Sequence, residues 1–151
     1  MRLILVRHGE KEPTSGLPEK DWPLKAAART QAEALRAELE RHGFTPGYCL
    51  SSRYQHALDT AAILAADEAK VIAVTGLTPH TDEAFFTFAA MLAQAAEQGV
   101  AVGEAATLAI VGHHPRVGKL AKALTGTEPP QPAYLEALGA LRCIARRAYR
   151  G

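Results

Sequence analysis

The sequence predicts an α/β domain whose mostly parallel sheet is covered by helices on both faces, a three-layer α/β/α sandwich. Three observations predict it. Short apolar runs at residues 3–6, 48–50, 71–74 and 108–111 alternate with longer segments of helical composition. The first and fourth runs are stopped within a few residues by glycine, as buried strands that turn tightly are. Hydrophobic residues make up 48% of 151, enough to bury a sizeable core.

The run 3–6 ends at Arg7-His8-Gly9. Residues 11–23 hold three prolines, a glycine and several charges, and read as loop. Residues 26–42 are rich in Ala, Leu, Glu and Arg, with Gly43 just beyond, which predicts a helix and its stop. Ala28, Ala32, Leu35 and Leu39 fall on one face of it. A second strand at 48–50 leads to a second helix at 57–66, with Ala61, Leu64 and Ala65 at core spacing. A third strand at 71–74 leads through a loop to a helix over 82–98, with Thr81 as N-cap and Gly99 as stop. The fourth strand, 108–111, stops at Gly112. Pro115 opens a helix to 124, with Gly126 beyond it. Residues 127–132 carry three prolines and read as loop, and 138–148 as a final strand. No repeat, low-complexity tract or boundary divides the chain, so one domain is expected over 1–151.

The bulk numbers exclude several function classes. Seventeen basic residues face 16 acidic ones, a net charge of +1, so no general field draws nucleic acid or anionic membrane. Any anion site must be local. No apolar run approaches the ~20 residues of a membrane span, and the first run is too short for a secretory segment. A cytoplasmic location is expected by elimination. Cys49 and Cys143 lie far apart without CxxC spacing and read as two small buried hydrophobes in a reducing compartment. There is no HxH or HExxH spacing and no carboxylate cluster near a histidine, so no metal site and no cofactor is expected.

The chemistry sits where two strands end. In parallel sheets ligands bind beyond the carboxyl ends of the strands. Two such ends carry histidines: Arg7-His8-Gly9 and Gly112-His113-His114. An imidazole is partly uncharged at neutral pH and can act as a nucleophile. A guanidinium neutralises and aligns phosphate oxygens. Gly9 lets the backbone come close. A second histidine opposite can hold the phosphate or protonate a leaving group, and a helix starting just after His113 adds positive potential.

Leu5-Val6-Arg7-His8-Gly9-Glu10 resembles the N-terminal signature of the histidine phosphatase superfamily, which includes the cofactor-dependent phosphoglycerate mutases. The resemblance extends along most of the chain. Pro23-Leu24-Lys25 with Gln31-Ala32-Glu33-Ala34-Leu35 is similar to the segment entering that family's first helix. Leu50-Ser51-Ser52, Ala57 and Thr60-Ala61 are similar to its second motif, and Val111-Gly112-His113 to the segment holding its second histidine. Leu124-Thr125-Gly126 has the expected place. Leu77-Thr78-Pro79, Glu97-Gln98-Gly99-Val100 and Glu128-Pro129-Pro130 are similar to the bacterial phosphohistidine phosphatases, as is the lack of a large lid insertion.

The resemblance implies a phosphoglycerate mutase-like fold and a set of roles. His8 would be the nucleophile, carrying a transient phosphohistidine, and Arg7 and His113 would bind phosphoryl oxygens, with no metal. The family's second motif usually has an arginine just before the alanine. Here His56 stands before Ala57. Arg53 lies one helical turn earlier, within reach of the same point if that segment is helical. The expected phosphate site is therefore Arg7, Arg53, His56 and His113, with Gly9. Glu83 is the candidate acid, or else a first-turn acid stabilising a helix N-terminus. Ser51 and Ser52 read as helix caps, Glu10 and Lys11 as rim or loop residues, and His42, His80 and His114 as surface, loop or pocket-wall residues. Arg142, Arg146, Arg147 and Arg150 read as a solvated tail. The implied substrate is a phosphorylated histidine on a phosphorelay protein. The alternatives are a phosphatase or mutase for a small phosphorylated metabolite, and, because of His56, a phosphate-binding module without turnover.

Overall fold

The computed structural model describes residues 2–103, 106–125 and 142–143. Among the described residues the strands are β1 (Arg2–Arg7), β2 (Tyr48–Ser51), β3 (Val71–Ala73), β4 (Thr107–Gly112) and β5 (Arg142–Cys143). They form one sheet in the order β3-β2-β4-β1-β5. The first four run parallel to their neighbours, and β5 lies antiparallel to β1, with Ile4 opposite Cys143. The helices are α1 (Ala26–Arg41), α2 (Gln55–Ala65), α3 (Phe88–Glu97) and α4 (Arg116–Thr125).

Alternation along each strand builds two cores, one on each face of the sheet. Leu3, Leu5, Leu50, Leu108 and Ile110 pack with Phe88 and Met91 of α3 and Leu120 of α4. Ile4, Val6, Cys49, Ala109 and Val111 pack with Ala32, Leu35 and Leu39 of α1 and with Ala61 and Leu64 of α2. The expected three layers are therefore present, and the four residues chosen for the inner face of α1 are all buried. Cys49 is fully buried, and burial pushes its thiol up to about 12, so it acts as a small hydrophobe.

The connectivity creates the crevice. β4 enters between β1 and β2, so the strand order reverses there and the C-terminal ends of β1, β4 and β2 lie side by side.

Helix boundaries depart from expectation where three capping residues compete. The helix expected over 82–98 starts later, and Thr81 is not its cap. The Asp82 side chain instead accepts a hydrogen bond from the Ala84 N–H (2.9 Å) and caps a short 3-10 turn, Glu83–Phe85. Thr87 then caps α3, its Oγ1 accepting from the Ala90 N–H at 3.1 Å. The Thr81 carbonyl accepts from the Arg116 guanidinium. The stops hold: Gly43 and Gly99 take φ of +75° and +83°, a region that favours glycine. Gly126, the loop 127–132, most of the strand expected over 138–148, and Arg146, Arg147 and Arg150 lie outside the described residues.

Candidate active site

Sheet register places the two key histidines next to each other. Arg7 is paired with Gly112, so His8 and His113 are the next residues on adjacent parallel strands. The His8 N–H extends the ladder to the Gly112 carbonyl at 3.0 Å, and the Ser52 N–H does the same to the Val111 carbonyl at 3.1 Å. Strand spacing is ~4.8 Å, and the two imidazole centroids are 4.6 Å apart. His8, Ser52 and His113 thus leave three neighbouring strand ends at one level.

A third ring joins them from the first turn of α2. His56 is fully buried, with its centroid 4.4 Å from that of His8 and 5.6 Å from that of His113. Tyr54, at the N-cap of α2, sets its ring 5.0 Å from His113 and 5.7 Å from His56. Nothing in the sequence spacing announces this three-histidine cluster, because the rings come from residues 8, 56 and 113.

Hydrogen bonds decide what each ring can do. The His8 Nδ1 is 2.6 Å from the Gly9 carbonyl oxygen. A carbonyl only accepts, so Nδ1 carries the proton and Nε2 keeps its lone pair. The His56 Nδ1 is 3.1 Å from the Trp22 carbonyl and donates in the same way. Its Nε2 is buried without a hydrogen-bond partner. The neutral ring therefore presents a lone pair, and His56 joins phosphate binding only once a proton sits on Nε2. The His113 Nε2 lies 2.8 Å from the Ser52 hydroxyl, which also accepts from the Tyr54 N–H at 3.1 Å. Ser52, expected to cap a helix, instead positions the second histidine.

Burial sets the charge state. It is the main cause that lowers His8 to about 4 and His113 to about 3, and that also lowers His56. The Gly9 carbonyl partly opposes the shift at His8, while His56, Arg7 and Lys11 add to it. All three rings are neutral at physiological pH, beside the positive charges of Arg7 and Lys11. A bound dianion would push the other way and favour their charged forms.

Arg7 closes β1, half-buried, one residue before the nucleophile candidate. Gly9 has a use set by the protein itself. Its N–H donates to the Thr60 hydroxyl at 3.1 Å, and a Cβ there would lie 2.7 Å from Leu24 Cδ1 and 3.0 Å from Ala28 Cβ. The Thr60 hydroxyl in turn donates to the His56 carbonyl at 2.8 Å, tying the β1 turn to α2. Asp59 accepts from the Leu24 N–H at 3.1 Å and pairs with Arg29 at 3.2 Å, which holds the Trp22 segment against α2.

Arg53 is exposed and precedes α2, so the argument from one helical turn does not apply to it. Its backbone N–H donates to the Thr78 hydroxyl at 3.3 Å, and it adjoins Tyr54. Glu83 is exposed on its 3-10 turn, as a first-turn acid. His114 and His80 are exposed, and the exposed His42 pairs with Glu38 at 3.0 Å. Sequence reasoning missed Trp22 and Tyr54, gave Ser52 another role, and quoted Thr60 only as part of a motif.

A family model confirms what this geometry suggests. The model of the histidine phosphatase superfamily (branch 1) matches residues 3–81, just over half of the chain, and includes Arg7, His8, Ser52 and His56. The chain belongs to the histidine phosphatase superfamily. The fold agrees with that of several solved structures. The protein histidine phosphatase SixA complexed with tungstate superposes with a TM-score of 0.68 at 21% identity, over 87% of this chain and 81% of that one. A second SixA, from Agrobacterium tumefaciens, gives 0.62 at 20% identity, over 84% and 78%. A mycobacterial glucosyl-3-phosphoglycerate phosphatase gives 0.53 at 22%, over 83% and 80%. No curated protein matches the sequence. Among the described residues of this superfamily member, no helix is long and apolar enough to cross a membrane.

Proposed function

We propose that this protein is a phosphatase that passes a phosphoryl group through His8, and that its substrate is a phosphorylated histidine on a phosphorelay protein. The observation that carries the reading is the His8 Nδ1–H bond to the Gly9 carbonyl, which leaves the Nε2 lone pair bare and uncharged among the other two rings.

Arg7 and His113 hold the phosphoryl oxygens. The His8 Nε2 lone pair attacks phosphorus while the bond from phosphorus to the leaving group breaks, its electron pair going to the leaving atom. A protonated phosphoimidazole departs as a neutral ring, and the positive charge passes to the His8 ring, where the Gly9 carbonyl stabilises it. Water then attacks the phosphorus, the Nε2–phosphorus bond returns its pair to His8, and phosphate and a proton leave.

Two further features support phosphohistidine as substrate. An alkoxide leaving group would need a committed acid, and Glu83 is an exposed turn residue, whereas phosphoimidazole needs none. The described connections at the sheet's C-terminal edge, 8–25 and 74–87, insert nothing longer than a 3-10 turn, which suits a side chain on a protein surface. The higher TM-scores with the two SixA structures are consistent with this. The test is turnover of a phosphorylated histidine-containing domain against a panel of sugar phosphates. Preference for the protein substrate by ~100-fold or more in kcat/KM is expected. Turnover of sugar phosphates alone would assign the enzyme to small metabolites, and phosphate binding without turnover of either would make it a binding module.

A further inference from the structure

We infer that His8, His56 and His113 also form a site for one borderline divalent transition-metal ion of the Zn2+ type. Among the described residues this is the group whose ligand atoms converge, all within 4.8 Å of one another.

The decisive observation is His56 Nε2. It is buried, it lacks a partner, and its ring is 0% exposed. With Nδ1 donating to the Trp22 carbonyl, Nε2 offers a lone pair and no proton. An oxyanion meets that lone pair with repulsion, whereas a cation satisfies it. His8 repeats the pattern, its Nδ1–H fixed on the Gly9 carbonyl and Nε2 bare. Histidines that bind metal usually donate the other ring N–H to a carbonyl or carboxylate, which orients the ring and fixes the tautomer. Two of the three rings have that support already.

The donor set selects the ion. Three imidazoles without a carboxylate or thiolate suit Zn2+ and its neighbours better than Mg2+ or Ca2+, and leave a fourth position open to water. Tetrahedral Zn–N bonds of ~2.0–2.1 Å place the nitrogens about 3.3 Å apart. The widest pair would close by about 1.5 Å through side-chain rotation. An ion held here takes the His8 Nε2 lone pair, so it prevents that atom from attacking phosphorus. The site does not depend on the phosphatase reading for its existence.

The full chain, stripped with EDTA and dialysed, is titrated with Co2+ while visible d–d absorption is followed, and with Zn2+ by calorimetry. One equivalent of each should bind, with the absorption of a low-coordinate nitrogen site. His56→Gln and His113→Gln should each weaken Zn2+ binding by more than about 100-fold, beyond what loss of an outer-shell partner costs. Their cooperative melting confirms that they fold. His42→Gln, at an exposed histidine, should bind as before. Zn2+ should also suppress phosphoryl labelling of His8, and EDTA should restore it. No binding, or binding unchanged in both cluster variants, overturns the site, and labelling that survives Zn2+ saturation removes His8 from it. Co2+ binding without any phosphoryl transfer would sink the functional reading and leave the metal site standing.

Discussion

At the scale of single residues, function here depends on which nitrogen of each imidazole is left bare. Two backbone carbonyls, of Gly9 and Trp22, make that choice for His8 and His56. For His113 the choice falls to a side chain, Ser52, which makes it open to mutation. Ser52→Ala leaves the His113 Nε2 and the Tyr54 N–H without their shared oxygen. A net hydrogen bond is worth ~1–1.5 kcal/mol, so steady-state kinetics of Ser52→Ala should show kcat/KM lower by roughly 10-fold, with Ser52→Thr restoring most of it. An unchanged kcat/KM would show that the Ser52 hydroxyl does not position the ring. The pair of strand-end histidines was legible because each sits in a short string, Arg7-His8-Gly9 or Gly112-His113, directly after an apolar run. The anchor of His56 was not, since a carbonyl belongs to every residue and Trp22 gives it no signature. His56 was singled out as a substituted arginine, but its burial between two other rings follows only from packing.

At the scale of elements, the four parallel strands were legible almost residue for residue, because both faces are buried and the apolar runs are uninterrupted. The same alternation predicts that His8 and His113 emerge together once β1 and β4 are neighbours. The sequence does not say that they are neighbours. That pairing joins residues about a hundred positions apart, and it is fixed by β4 entering between β1 and β2. The start of α3 was misread because Thr81, Asp82 and Thr87 all have capping chemistry and only geometry selects among them. Thr87→Ala should therefore destabilise the fold by ~1 kcal/mol, and Thr81→Ala should have a smaller effect, when urea midpoints are compared. The reverse ranking would mean that the helix begins at 82 after all.

At the scale of the whole molecule, the fold buries three imidazoles in neutral form, and this links stability to pH. An unfolded histidine titrates near 6.5, whereas His8 and His113 are lowered to about 4 and about 3 in the folded chain. Between those values the unfolded chain binds more protons, so stability rises with pH across the window. The folded state is fully stable above about pH 6.5 and loses stability on acidification, by an amount on the order of a few kcal/mol. In EDTA, the urea midpoint should fall between about pH 7.5 and about pH 5.5, above the range where most carboxylates titrate. A midpoint that holds or rises would show that these rings are hydrated and charged as in free histidine.

Whether the His8 Nε2 carries the phosphoryl group is decided by a rapid-quench experiment with a 32P-phosphorylated histidine domain. A transient acid-labile, base-stable label should map to the peptide containing His8 and be absent from His8→Ala. Full turnover with no label on that peptide, or the same label in His8→Ala, would contradict that role of His8.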